Sequence, residues 1–307
     1  MQQFKNLHYS VLVFTLLLTS VFVLLNCAGK KPPVWGNAET GYLLSYRPAA
    51  GDFYQYQRTM HGVNTSERGG QSFENMSDQV FGFQLETESV DSLITFVLTV
   101  DTMSFIMEHS RGTMAVDYGE INGKQVRVSF TPQGEKKEVA LIDSLPTPQM
   151  SGRPMPGDPK DRLGVHLFKL PDRPLKIGDS WTETKIDTST RNDSTRQSTF
   201  TSITDGTTKY SVVGEEVKMG MDCLHLKLET KSILESIGSM RGTEINTEGE
   251  SEGTSHVWFA YKNGILVEYS SKSFYEGTTA YSGQMSGTSP STNESESALK
   301  LVKHVKR

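Results

Sequence analysis

Cysteine is nearly missing from this chain of 307 residues, which holds only Cys27 and Cys223. If Cys27 is otherwise engaged, Cys223 stands alone. A disulfide framework is then excluded, and an ordinary apolar core must hold the fold. Basic charge is short as well, with 31 Lys and Arg against 36 Asp and Glu and a net charge of −5. No basic patch with interleaved aromatics occurs, so the chain has no electrostatic reason to seek nucleic acid. Helical periodicity is scarce, and Lys136–Leu145 is the best helix candidate.

Catalytic and metal constellations are lacking too. His61, His109, His166, His225, His256 and His304 show no metal-ligand spacing. Cys223 and His225 share one strand face, but the sequence places no third ligand or orienting carboxylate beside them. They read as a small half-buried Cys next to an exposed His. Asp52 and Asp179 would pair only if the chain were symmetric, and each more simply caps its own turn. Gly62, Gly69 and Gly70 follow no phosphate-loop pattern. The expectation is a protein that is not an enzyme and takes no metal or cofactor.

What the chain does have begins at its N-terminus. Val11–Leu25 is apolar apart from Thr15, Thr19 and Ser20. It is shorter than the roughly 20 residues that span a bilayer as a helix, and it fits the apolar region of a signal peptide. Leu24-Leu25-Asn26-Cys27 follows and resembles a bacterial lipobox, with Asn26 departing from the usual small residue. Residues 1–26 are therefore expected to be a signal peptide and Cys27 the lipid attachment site, with residues 27–41 as a tether stiffened by Pro32-Pro33. Ala28, rather than an acidic residue, follows Cys27, which in proteobacteria favours the outer membrane, facing the periplasm.

Beyond the tether, apolar and polar residues alternate with period two. Phe81, Phe83 and Leu85 share a face, as do Ile94, Phe96, Leu98 and Val100; Val126, Val128 and Phe130; and Leu224, Leu226 and Leu228. Such runs are half-buried antiparallel strands. Turn signals separate them at Arg68-Gly69-Gly70, Asn122-Gly123, Asp205-Gly206 and Asn263-Gly264. An internal duplication is suggested by two landmarks in the same order. Gly51-Asp52-Phe53-Tyr54 matches Gly178-Asp179-Ser180-Trp181, and Val128-Ser129-Phe130 with Gly134 matches Val257-Trp258-Phe259 with Gly264.

The expected organisation is an N-terminal β half (42–145), a Pro-rich linker loop (146–169), a C-terminal β half (170–285), a low-complexity loop (286–297), and a final strand or basic tail (298–307). The fold class is mainly β, as an antiparallel half-barrel or a two-lobed β-sandwich from two duplicated halves, with little helix.

Three segments carry a resemblance: Leu170–Trp181 (LPDRPLKIGDSW), Tyr210–Leu224 (YSVVGEEVKMGMDCL) and Tyr261–Val267 (YKNGILV). Together they resemble a family of uncharacterised bacterial lipoproteins, distantly similar in architecture to LolA-like half-barrels. That resemblance implies a curved sheet cupping an apolar cavity and brings no catalytic residues with it. The physical route to a ligand is separate. A sheet with one apolar face must cover it with a second sheet, with curvature, or with a bound apolar molecule. Phe81, Phe83, Phe96 and Phe130 are the candidate cavity lining. The expected partners are the membrane, through the N-terminal lipid, and an apolar ligand or envelope protein. The alternative is an envelope scaffold with a fully packed core.

Overall fold

A computed structural model describes residues 34–110, 112–155, 158, 160, 163, 167–193, 198–283 and 286–306. The expected signal peptide, Cys27 and residues 28–33 of the tether lie outside the described residues. Two short strands come first, β1 (Gly36–Asn37) and β2 (Gly41–Tyr42). The first half then contributes β3 (Phe53–Arg68), β4 (Gln71–Val90), β5 (Ile94–His109), β6 (Gly112–Asp117), β7 (Gln125–Phe130) and β8 (Lys136–Leu141). The linker adds β9 (Gln149–Met150) and β10 (Arg153–Pro154). The second half contributes β11 (Ser180–Asp193), β12 (Ser198–Lys218), β13 (Met221–Met240), β14 (Thr243–Ala260), β15 (Ile265–Tyr281) and β16 (Gly287–Val305).

All but β1 and β2 join one antiparallel sheet of 14 strands. Its order runs from β11 through β16 in sequence and continues with β3, β4 and β5. At β5 it forks. β7 pairs with Ile94–Thr99 and carries β8, while β6 pairs with Ile106–His109 and carries β9 and β10. No described pairing returns from β8 or β10 to β11. The architecture is therefore an open half-barrel in which the two halves share one sheet, not two separate lobes.

The halves open in the same way. Gly51 N–H donates to Thr87 O and Thr87 N–H to Asp52 O; Gly178 N–H donates to Val212 O and Val212 N–H to Asp179 O. Each aspartate accepts the backbone N–H three residues upstream, Ala49 to Asp52 at 2.9 Å and Lys176 to Asp179 at 2.8 Å. Both therefore act as turn caps. The later landmarks correspond as well: Ile94 pairs with Phe130, and Leu224 with Phe259. The continuous β14 of the second half stands where the first half has β6 and β7, interrupted by residues 118–124.

Both Gly-centred hairpins hold the same segment. Tyr46 N–H donates to Pro132 O beside Gly134, and Arg47 N–H to Gly264 O. A Cβ at Gly134 would lie 2.7 Å from the Tyr46 ring, and one at Gly264 2.6 Å from Arg47 N. Both residues also have positive φ, 86° and 68°, so close approach and backbone conformation demand glycine together. Upstream, Tyr42 and Leu175 exchange backbone hydrogen bonds of 2.7 and 2.9 Å. Tyr42, Leu44 and Tyr46 are thereby laid into the core with Leu163 of the linker and Leu170 and Leu175 at the start of the second half.

Burial is concentrated at one end of the long strands. On β13, Cys223–Leu226 are buried, whereas from Glu229 onward residues alternate between exposed and half-buried. The half-buried distal positions are mostly small and polar. They link across strands through hydroxyls, Thr208 to Thr230 at 3.1 Å, Ser202 to Ser236 at 2.8 Å, Ser273 to Ser295 at 2.8 Å and Thr247 to Thr279 at 3.0 Å. The abundance of Ser and Thr thus serves cross-strand pairing where the apolar core has ended.

Several expectations are corrected. Lys136–Leu145 is not a helix, because β7 needs a partner and Val139 packs against the core, and this outweighs helix propensity. Residues 286–297 are not a loop. They form most of β16, where Ser295 pairs with Ser273 and Glu296 with Lys272. Pro290 is tolerated because it pairs with β15 just past the last residue of β16 that pairs with β3, so no second ladder bond is lost there. Of the two expectations for the chain's last segment the strand is the one found, residues 298–305 continuing β16. The tether is shorter than expected, since β1 and β2 form a hairpin and Trp35 packs on the core. The linker is not only a surface loop, because Leu163 is buried and Leu167 and Phe168 pack on the core.

Phe130 is fully buried while Thr99 lies on the other face of the adjacent strand and is half-buried. Phe130→Ala should cost about 3–5 kcal/mol and Thr99→Ala no more than about 0.5 kcal/mol. Urea melts would check this, and equal costs would contradict the register.

Candidate functional site

The four candidate phenylalanines come together, but as core. Phe81, Phe83, Phe96 and Phe130 are all buried. Phe81 stacks on Phe83 at 4.9 Å, Phe83 on Tyr56 at 5.6 Å, and Phe96 meets the edge of Phe130 at 6.2 Å. The chain itself covers them, through Tyr42, Leu44, Tyr46, Leu170 and Leu175. Of the four, Phe83 reaches a cavity.

That cavity is a cleft of about 340 Å³ between the inner face of the sheet and the linker. Leu167 and Phe168 form one wall, and Arg58, Met60, Phe83, Leu266, Tyr269 and Leu299 line the other. Strand register explains the set: Arg58 pairs with Leu299 and Phe81, and Leu299 with Tyr269. Met60 and Ser297 sit one step further out on the same face. The cleft is thus the point where the apolar end of the sheet gives way to its small polar end. Its lining includes no carboxylate. Arg58 Nη2 donates to the neutral Gln79 Oε1 at 3.1 Å, and burial pulls the guanidinium pKa below its usual value. Size and lining fit a small apolar molecule.

A second cluster lies on the opposite face of β12, β13 and β14. His225 Nε2 is 2.8 Å from His256 Nδ1. His225 Nδ1 lies 2.8 Å from Glu216 Oε1, in a contact not aligned as a hydrogen bond. Trp258 Nε1 donates to Glu216 Oε2 at 2.8 Å, and its ring stacks on His225 at 4.6 Å. Lys218 Nζ sits 4.1 Å over the Trp258 ring and donates to Glu268. This arrangement buries His225 and Cys223, both read as the wet side of their strand. The sequence could not show Glu216 as a neighbour, because that contact depends on the bulge at Val212/Gly214, which sets Glu216 opposite Cys223.

The cluster offers no activated nucleophile at Cys223. Burial pushes the Cys223 thiol up to about 11, and its Sγ lies 3.5 Å from Met221 O rather than bonding to His225. The hydrogen bond from Trp258, with the charge of His225, holds Glu216 below the usual carboxylate range. Among the described residues, no group of three or more His, Cys, Asp or Glu side chains is arranged to hold a metal ion. Larger hollows of about 450–600 Å³ on this face lie among charged side chains such as Glu229, Lys231, Glu252 and Lys272.

No family model and no curated protein matches the chain. Among solved structures it is similar to OccK5 (OpdH) of Pseudomonas aeruginosa, at 8% identity over 84% of this chain and 100% of that one, with a TM-score of 0.27. An outer membrane channel of Pseudomonas putida F1 is 7% identical over 84% and 97%, with a TM-score of 0.24. An exported protein of Bacteroides fragilis with a YmcC-like fold is 10% identical over 86% and 100%, with a TM-score of 0.22. At these scores neither a fold nor a function is carried over.

Burial pulls the pKa of His256 and of His304 below 6.5, and the neighbouring His225 adds to the effect at His256. His304 stacks on Tyr54 at 4.8 Å. Between the lowered values and 6.5 the unfolded chain binds more protons than the folded one, so stability is full above about pH 6.5 and falls as the pH drops through that window. His304→Phe keeps the stack and removes the titration; His256→Gln removes the other. Urea midpoints near neutrality and in mild acid should converge in both variants relative to wild type. An unchanged gap would mean that neither histidine is the source.

Proposed function

We propose that the protein is a membrane-anchored lipoprotein of the bacterial envelope, non-enzymatic, whose half-barrel takes up an apolar ligand with an anionic head group. The cleft carries this reading. It joins an apolar lining to one guanidinium, Arg58, with no carboxylate in its wall. An acyl chain would lie against Leu299, Leu266 and Phe168, and a carboxylate or phosphate would meet Arg58. The anchor follows from Val11–Leu25 and the lipobox-like Leu24–Cys27. The second reading, an envelope scaffold, is favoured by the close packing of Phe81, Phe96 and Phe130 away from the cleft.

A fluorescent fatty acid, cis-parinaric acid, tests the ligand. Wild type should enhance its emission on binding. Ser297→Trp, which fills the cleft from a half-buried position, should abolish the signal while leaving the urea midpoint nearly unchanged. Arg58→Gln should weaken a fatty acid more than its methyl ester. Absence of binding to wild type, or full binding to Ser297→Trp, leaves the packed scaffold.

The anchor is tested separately. Cys27→Ser should release the protein from the membrane fraction and abolish palmitate incorporation. Membrane retention without label would refute lipidation.

A further inference from the structure

β11 ends the sheet with an edge that is long and regular. It pairs with β12 over 14 consecutive residues, from Ser180↔Ser211 to Asp193↔Ser198, without a bulge. On its other side no described strand pairs with it. It contains no proline or glycine. Free edges are normally kept short, bulged or interrupted, because their open N–H and C=O groups recruit further strands. The opposite margin of this sheet follows that practice, with β8 of 6 residues and β10 of 2. The edge of β11 does not.

Its sequence, SWTETKIDTSTRND, is nearly self-complementary when read antiparallel about Ile186. In that register Ile186 meets Ile186 of a second copy, Lys185 meets Asp187, Thr184 meets Thr188, and Thr182 meets Thr190. Trp181 meets Arg191. Each of these is a favourable cross-strand pair: apolar with apolar, opposite charges, hydroxyl with hydroxyl, and cation with aromatic face. Paired residues have the same parity, so the side-chain faces of the two copies stay in phase and one sheet runs through both. The neighbouring residue-centred registers are penalised, because one sets Lys185 on Lys185 and the other Asp187 on Asp187.

Side-chain exposure agrees with this register. Ile186 is 66% exposed although it lies at the centre of the strand. Lys185 and Asp187 are exposed and pair with each other along their own strand, at 2.5 Å. Trp181 already stacks on Tyr210 at 4.8 Å, with Arg173 5.0 Å over its ring, which builds an aromatic platform at the end of the edge.

We infer that β11 is a dimerisation edge, pairing antiparallel with β11 of a second copy of this chain about a two-fold axis through Ile186. The inference is independent of the ligand reading, because the cleft lies on β3, β4, β15 and β16.

Charge swaps read out the register by sedimentation of the purified protein. Wild type should be a dimer that dissociates on dilution. Lys185→Asp alone sets the new aspartate against Asp187 of the second copy, and Asp187→Lys alone sets the new lysine against Lys185, so each variant should sediment as a monomer. Mixing the two variants should restore a dimer, because every contact between positions 185 and 187 is then between opposite charges. The double variant K185D/D187K should dimerise by itself. Ile186→Cys should crosslink to its own copy under oxidation, whereas Thr182→Cys, whose copy lies eight residues away, should not. A wild type that is monomeric at every concentration overturns the inference. So does a dimer indifferent to the single swaps, a mixture that stays monomeric, or crosslinking at position 182 rather than 186.

Discussion

An open antiparallel sheet with an apolar face cannot leave that face in water, and a closed barrel would cover it by curvature alone. Here the sheet stops short of closure and the chain supplies the missing cover. The segment from Tyr42 to Arg47 is gripped by two related hairpins, at Gly134 and at Gly264, and so spans both halves of the protein. Tyr42 and Tyr261 both donate to Glu215, the latter at 3.0 Å, which ties the same segment to β12. The linker lies alongside, through Leu163, Leu167 and Phe168, and the chain after it through Leu170 and Leu175. The cleft at Arg58 exists because this cover ends there: beyond Leu299 the inner face turns to Ser297, Ser295 and Asn293, which need none.

The strands and their inward faces were legible in the sequence, because period-two alternation in Phe81–Leu85, Ile94–Val100 and Leu224–Leu228 leaves one register that buries the apolar set. The shared opening of the two halves was legible for a similar reason. Gly-Asp followed by an aromatic builds one hydrogen-bonded turn wherever it stands, and both copies build it. The polar strands were not legible. Gly287–Ser297 has no apolar rhythm, and its strand character comes from neighbours on β15 that the sequence does not place beside it. The Glu216–His225–His256 contact was hidden likewise, since it depends on which residues three strands set opposite one another.

The two faces of the sheet are specialised in different ways. At the core end, the inner face is aromatic and the outer face carries its own small cover of Trp258, Lys218 and Glu216 over His225. This explains why Cys223 and His225 are buried on a side that the alternation marks as wet. The arrangement also keeps the Cys223 thiol protonated and buried.

The seam between β16 and β3, from Phe53↔Val305 to Ser66↔Ser291, joins the latest-made strand to the earliest long one. Synthesis runs from β3 to β16, so every strand between them has been made before that seam can form. Until then β3 offers a bare edge, and the aromatic stretch Tyr54–Tyr56 next to Phe83 lacks Leu301 beside it. Contacts so distant in sequence form slowly and leave the nascent chain prone to wrong pairings. A chain that lacked β16 would keep that edge of β3 open and leave Tyr56 without Leu301, so it would not be a smaller version of the same fold.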